Sequence, residues 1–337
     1  MKTAVLGAGR MGRRHIQVVR DLGLELVGVC DANPDALALA AKEQDVPPAL
    51  HFTDASRLLK QTQPDCVIVA TTAPSHCEYT CTAAEAGAKF ILCEKPMAIS
   101  LAECDQMLDV CARYGARLAI NHQMRFMEQY TGPKRIINTD SFGGLASVNV
   151  IAGNFGLAMN GTHYFEMFRY MTDEAPANVI AWFSPGKVPN PRGIQYEDRA
   201  GAVRITTASG KRFYLETSYD QGHGITVVYA GRYGQIIVDE LAGNMQWVER
   251  EEQYRSLPTT RYGMGEIRHS QSIPPADVIE PSKAVLKALL EGNDYPTGQD
   301  GRQAVAVLVA AYISDEQGNR TVTIDNQLPI QRVFPWA

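Results

Sequence analysis

Apolar and polar positions along the first third of the chain fall into alternating short runs and longer amphipathic stretches. Lys2–Leu6 is an apolar run ending in glycines, which predicts a buried strand, and 11–22 carries helical spacing closed by Gly23. Glu25–Asp31 is a second strand-like run. Asn33-Pro34 then offers an N-cap and a first-turn proline for an alanine-rich helix through Glu43. Asp65–Thr71 is the strongest strand signal, followed by a helix over 76–86 and a strand over 89–93. Ser100-Leu-Ala-Glu103 is a capping box opening a helix to Tyr114, and 116–121 closes the series as a strand. Repeated strand–helix–strand units with continuously apolar strands predict a parallel sheet covered on both faces.

Beyond Asn121 the period changes. Alternating runs at 203–208, 212–219, 225–229 and 235–239 are separated by glycine-bearing turns and predict a mainly antiparallel sheet. Helical patterns cover 161–171, 277–290 and 298–314, and the proline- and glycine-rich stretch 184–198 reads as a long loop, a class of segment that is often functional. The expected fold class is α/β. A doubly wound Rossmann domain over 1–121 is followed by an α+β domain with an open, mainly antiparallel sheet over 122–337.

Composition narrows the function classes. The 337 residues suit two domains, and 45% hydrophobic with 20% charged residues excludes a disordered chain. The formal charge of −5 comes without blocks of like sign, which argues against nucleic-acid or membrane-surface partners. The longest apolar stretch, 304–313, is about half a membrane span. A strand-like run directly after Met1 leaves no room for a signal peptide. All seven cysteines (Cys30, Cys66, Cys77, Cys81, Cys93, Cys104 and Cys111) lie in the first 111 residues, which points to a reduced, cytoplasmic compartment.

Candidate chemistry starts at Gly7-Ala-Gly9-Arg10-Met11-Gly12, a G-x-G-x-x-G between the first strand and the first helix. In that position the glycines allow a tight turn, a close pyrophosphate and close helix packing, with the helix N-terminus facing the anion. Asp31 lies 19 residues after Gly12 at the end of the second strand, where a carboxylate would bond a ribose 2′-hydroxyl. NAD is therefore the expected cofactor, with NADP kept open by Arg10. His76, Cys77 and Cys81 superficially suggest a metal, but Cys77 and Cys81 are one turn apart on one helix and no second ligand pair has zinc-like spacing, so none is expected.

Cys93-Glu94-Lys95-Pro96 follows the strand over 89–93. Together with the glycine fingerprint it resembles the glucose-fructose oxidoreductase/inositol dehydrogenase/rhizopine-catabolism (Gfo/Idh/MocA) family. Further matches are Ala70-Thr71-Thr72-Ala73-Pro74-Ser75-His76, Arg125-Phe126, Gly161-Thr162-His163-Tyr164-Phe165-Glu166 and Gly298-Gln299-Asp300-Gly301. The resemblance implies NAD(P)-dependent hydride transfer at a secondary alcohol of a sugar, cyclitol or nucleotide-linked sugar, and oligomers (a homodimer or homotetramer) built through the second sheet. It implies Lys95 and His163 as catalytic residues, His163 taking the alcohol proton. Gly7, Gly9, Arg10, Met11, Gly12, Asp31, Thr71, Thr72, His76, Glu94 and Lys95 are the cofactor-binding candidates, with Glu94 also readable as a structural acid that fixes the turn. Arg125, Asn160 and His163 are the substrate-binding candidates, and Asn121, Gln123, Tyr164, Arg169 and His223 are weaker ones.

One position departs from the family pattern. Dehydrogenases of this kind often carry an aspartate four residues before the histidine, and here that residue is Met159. Glu166 offers a carboxylate at helical spacing from His163. The departure keeps a non-catalytic NAD(P)/sugar sensor open as a second reading, and the resemblance leaves a third, a redox-neutral enzyme that reduces and regenerates bound NAD within one turnover.

Overall fold

The computed structural model describes residues 1–186, 188–258 and 260–337. The chain divides into two compact units. The first comprises Met1–Gln123, Asp277–Val305 and Pro329–Ala337; the second comprises Met124–Ala276 and Ala306–Leu328. Residues 277–305 and 329–337, placed with the second domain by the sequence reading, thus pack with the first unit.

The first unit opens with β1 (Lys2–Leu6), α1 (Arg10–Asp21), β2 (Glu25–Cys30), α2 (Pro34–Gln44), β3 (His51–Phe52) and α3 (Ala55–Thr62). It continues through β4 (Cys66–Val69), α4 (His76–Glu85), β5 (Phe90–Cys93), α5 (Leu101–Tyr114) and β6 (Arg117–Ile120). The six strands are parallel in the order β3-β2-β1-β4-β5-β6, the doubly wound arrangement whose order reverses between β1 and β4. Val5, Leu6, Val67, Ile68, Ile91 and Leu92 are wholly buried, as strands covered on both faces require. The expected caps form. Asn33 Oδ1 accepts from the Asp35 N–H at 2.9 Å, and Ser100 Oγ accepts from the Glu103 N–H at 3.1 Å. The sequence reading named neither β3 nor α3. A two-residue strand has no period to detect, and its place is set by pairing with Val29 and Cys30.

The second unit contains α6 (Glu128–Ile137), β7 (Leu145–Gly153), α7 (Thr162–Thr172), β8 (Pro176–Phe183), β9 (Gly201–Thr207) and β10 (Arg212–Ser218). It adds β11 (Thr226–Gly231), β12 (Gly234–Asp239), β13 (Asn244–Arg250) and β14 (Glu266–Ser272). After α8 (Ile279–Glu291) in the first unit, α9 (Gly298–Glu316) runs into the second, where β15 (Val322–Thr323) completes the sheet. Among the described residues this sheet has nine strands, ordered β14-β13-β12-β11-β7-β10-β9-β8-β15. Every neighbouring pair is antiparallel except β7 with β10.

One face of the sheet carries Val148, Val150, Val203, Ile205, Phe213 and Leu215, all buried, and Phe165 and Phe168 of α7 pack their rings against Phe213. The sequence reading named four of these strands and omitted α6. Gly132-Pro133 inside α6 reads locally as a turn, and burial of Tyr130, Pro133 and Ile137 overrides that signal. β14 is exposed along almost its whole length, so it shows no apolar alternation to find.

Candidate active site

The carboxyl ends of β1, β2, β4 and β5 carry the cofactor candidates, the edge at which open α/β sheets bind ligands. Gly7 adopts φ +99°, and a Cβ there would lie 2.6 Å from the Ala70 carbonyl oxygen after β4. A Cβ on Gly12 would lie 1.9 Å from the Gly7 carbonyl oxygen, so the helix can sit this close only without a side chain. In front of Gly9 the space is open, with no heavy atom within 4 Å of where a Cβ would be.

Gly9 caps α1 without a side-chain bond, and the first turn has no acid, so backbone N–H groups face outward at the positive end of the helix. Arg10 is exposed and Met11 half-buried. Asp31 Oδ2 accepts from the Ala8 N–H and Oδ1 from the Asn33 N–H, each at 2.8 Å. Each oxygen keeps a further lone pair, which suits a ribose hydroxyl. These features fit a dinucleotide: a glycine gap and helix end for pyrophosphate, and a fixed carboxylate beside the glycine turn.

After β4, Thr71 Oγ1 accepts from Ser75 Oγ at 2.8 Å, and Thr72 caps a short turn over 73–75. His76 is fully buried. Its Nδ1 lies 3.0 Å from the Pro96 carbonyl oxygen and its Nε2 3.2 Å from that of Thr71. Both are acceptors, and a neutral ring donates to only one of them. His76 therefore ties the turn after β4 to the turn after β5, with its ring turned to backbone.

Lys95 is 8% exposed and directly follows Glu94, which lies at the centre of a buried network. Glu94 Oε1 accepts from Asn121 Nδ2 at 2.8 Å and lies 2.7 Å from His15 Nε2 on α1; Asn121 Nδ2 also reaches Ser282 Oγ of α8 at 3.3 Å. Burial opposes ionisation of Glu94, but the His15 bond, the charges of His15 and Lys95 and the Asn121 amide outweigh it and hold the carboxyl well below its usual range. The Lys95 backbone is thus mounted on a fixed carboxylate. His15 was not singled out in the sequence, where a histidine on an amphipathic helix carries no distinguishing signal.

In the second unit, His163 is 5% exposed and is the second residue of α7. A single π-type turn over Leu157–Gly161 delivers it, and Asn160 and Met159 in that turn are half-buried. Glu166 is ion-paired with Arg125 and lies 3.3 Å from Arg169, and the Arg125 guanidinium stacks 4.7 Å above the Tyr170 ring. Arg125 and Glu166 therefore brace α7. Tyr164 is buried and donates to Glu240 Oε2 at 2.8 Å, while His223 is exposed with Nδ1 at 2.7 Å from the Gly224 carbonyl oxygen.

The family described as oxidoreductases with an NAD-binding Rossmann fold matches residues 1–122. Inositol 2-dehydrogenase of Pseudomonas fluorescens is 31% identical over 240 residues, covering 67% of this chain and 70% of that protein. The chain belongs to the Gfo/Idh/MocA oxidoreductase family. D-apiose dehydrogenase of Paraburkholderia graminis is 26% identical over 354 residues, 96% of this chain and 89% of that protein. An Agrobacterium radiobacter oxidoreductase, solved with NAD+, L-tartaric acid and magnesium, shares the fold at a TM-score of 0.80 and 18% identity, covering 96% of this chain and 98% of that one. Residues 1–122 of this Gfo/Idh/MocA protein are its NAD-binding Rossmann fold.

Within the family frame, the structure adds a residue the sequence reading missed. Asp198, at the end of the 184–198 segment, is 3% exposed and accepts from the Ala158 and Met159 N–H groups, each at 2.8 Å. A lone aspartate in a loop, 39 residues from its partner, leaves no local signal.

Proposed function

We propose that this oxidoreductase moves a hydride between a nicotinamide and a secondary alcohol of a sugar, cyclitol or nucleotide-linked sugar. NAD, when bound, supplies the hydride acceptor. Its phosphates would be held at the Gly7–Gly12 turn and the N-terminus of α1, and its ribose by Asp31. Asp31 favours NAD, since a second negative group would meet its carboxylate, and exposed Arg10 leaves NADP accessible.

The observation that carries the reading is Lys95, nearly buried at the carboxyl end of β5 and seated on the ionised Glu94. A lysine so fixed can hydrogen-bond a reacting hydroxyl without first being ordered. The second unit supplies substrate contacts, with Asn160 as a polar one. His163 takes the alcohol proton as the carbon loses hydride, a general-base role commonly filled by histidine. Arg125 holds α7 in place through Glu166.

The protein, purified with and without added NAD and NADP, is offered a panel of inositols, D-apiose and other sugars, sugar acids and nucleotide sugars while nicotinamide absorbance is followed. Cofactor reduction with at least one alcohol is expected, and Lys95→Ala should lower that rate by about 100-fold or more. Binding of cofactor and sugar without absorbance change would instead favour the sensor reading. Turnover without added cofactor, lost on stripping bound NAD, would favour the redox-neutral one.

The open face of the second unit's sheet supports a homo-oligomer. Ile151, Glu216, Ala202 and Trp182 form one cross-strand row, and Tyr214 and Ile237 lie on neighbouring positions of the same face. Ile151, Trp182, Tyr214 and Ile237 are each between 37% and 49% exposed, an apolar patch of the kind that a second copy covers. Among the described residues no helix is long and apolar enough to cross a membrane. The seven cysteines are free and buried, and burial pushes the Cys30 thiol up to about 11 and those of Cys66 and Cys111 up to about 12. Free, buried thiols suit the proposed cytoplasmic location.

A further inference from the structure

Met159 leaves the histidine turn without the carboxylate that family dehydrogenases often place there, yet the structure brings one to the same turn from a distant segment. Asp198 Oδ1 accepts from the Ala158 N–H and Oδ2 from the Met159 N–H, both at 2.8 Å, and the Leu157 N–H donates to the Arg199 carbonyl at 2.8 Å. Three successive N–H groups at the head of the turn are thus taken by residues 198 and 199. At a helix end these groups would otherwise lack partners.

The fit is close. A Cβ on Gly156 would lie 2.0 Å from Asp198 Oδ2, so the carboxylate reaches the turn only because residue 156 has no side chain. The turn passes directly into α7: the Gly161 N–H donates to the Gly156 carbonyl at 3.3 Å and Thr162 Oγ1 to the Ala158 carbonyl at 3.0 Å, one residue before His163.

We infer that Asp198 is a positioning residue for His163, replacing from the 184–198 segment the carboxylate that Met159 lacks. It acts in two ways. It fixes the 156–161 turn that sets where the imidazole stands, and it places negative charge at the N-terminal end of the helix whose dipole disfavours an imidazolium in the first turn. The other charged groups of this region are Glu197 and Arg199 beside Asp198, Glu166 and Arg169 on α7, and Arg125; Tyr312 of α9, next to Asp198, has its phenol pushed up by burial first and by the Asp198 carboxylate second.

The inference rests on His163 exchanging the alcohol proton, so its test carries a readout independent of turnover. Asp198→Asn, which preserves size and keeps one acceptor, and Asp198→Ala are compared with the wild-type protein. The measurements are kcat and KM, the pH profile of kcat/KM, NAD binding by fluorescence, and titration of the His163 ring by NMR of 13C-histidine-labelled protein, assigned with His163→Gln. Asp198→Asn should lower kcat by about 10-fold with NAD affinity unchanged. It should also move both the acid limb and the His163 titration down by about half a pH unit. Asp198→Ala should lower kcat further.

Wild-type kcat, acid limb and His163 titration in Asp198→Asn would overturn the inference, and this variant decides even if Asp198→Ala fails to fold. A wild-type protein that reduces NAD with no alcohol overturns the dehydrogenase reading alone. The NMR comparison then still decides whether Asp198 sets the state of His163.

Discussion

Glu94 in the first unit and Glu240 in the second are both buried, and the two are held in opposite ways. Glu94 in the first unit faces His15, Asn121 and the Lys95 charge, so its carboxyl stays ionised although it is fully enclosed. Glu240 in the second unit, 3% exposed, faces the hydroxyls of Tyr130 and Tyr164, each donating at 2.8 Å. Burial there outweighs both hydroxyl bonds and, with Asp239 adding to it, pushes the Glu240 carboxyl up to about 7. Comparable burial thus ends in opposite shifts, and the difference lies in whether the network contains a cation. The Glu94 node supports the Lys95 turn; the Glu240 node joins α6, α7 and the end of β12.

This contrast can be broken experimentally. The largest effect should come from His15→Leu, which removes a partner of a buried carboxylate and should destabilise the protein by about 3 kcal/mol in urea unfolding at neutral pH. A cost below about 1 kcal/mol would mean that Asn121 and Lys95 hold Glu94 unaided. Because the folded-state value of Glu94 is depressed, its contribution is present above its ordinary value of 4.5 and is lost as pH falls further.

Glu240 works in the other direction. Its folded-state value is raised from 4.5 to about 7, so its contribution is complete below 4.5 and is lost as pH rises through about 7. Unfolding free energies at pH 5 and pH 8 should therefore show a decline that Glu240→Gln reduces by on the order of 3 kcal/mol. An identical decline in protein and variant would show that the tyrosine node does not control it. The smallest effect should come from Tyr130→Phe, about 1 kcal/mol by thermal unfolding, with the Glu240 transition moved upward because one bond to the ionised form is lost.

The two units also differ in how much of them could be read from the chain. β1, α1, β2 and the Gly7–Gly12 turn form one local unit in which strand period, caps and glycine spacing agree, and the structure reproduces it. Lys95 and His163 were reachable because their motifs are contiguous. α6 was not, since Gly132-Pro133 is a turn signal that only packing around Tyr130 overrides. β14 was not either, since a strand exposed on both faces has no alternation. His15, Asp198 and Glu240 escaped for one common reason. Each acts on a partner 39 to 110 residues away, and a single polar residue in a helix or loop does not announce such a partner.

The sequence alone determined that a dinucleotide fold opens the chain, and its motifs made Asp31, Lys95 and His163 the site candidates. These are properties of short segments, where period, cap and motif act over a few residues. Only the tertiary structure decided that residues 277–305 and 329–337 return to the first unit, where the Trp336 Nε1–H reaches the Ala98 carbonyl at 3.0 Å. It likewise decided that Glu94 is charged, that Glu240 titrates near neutrality and that the turn before His163 takes its carboxylate from Asp198. Burial and the identity of a distant hydrogen-bond partner set these properties, and both exist only once the chain has folded.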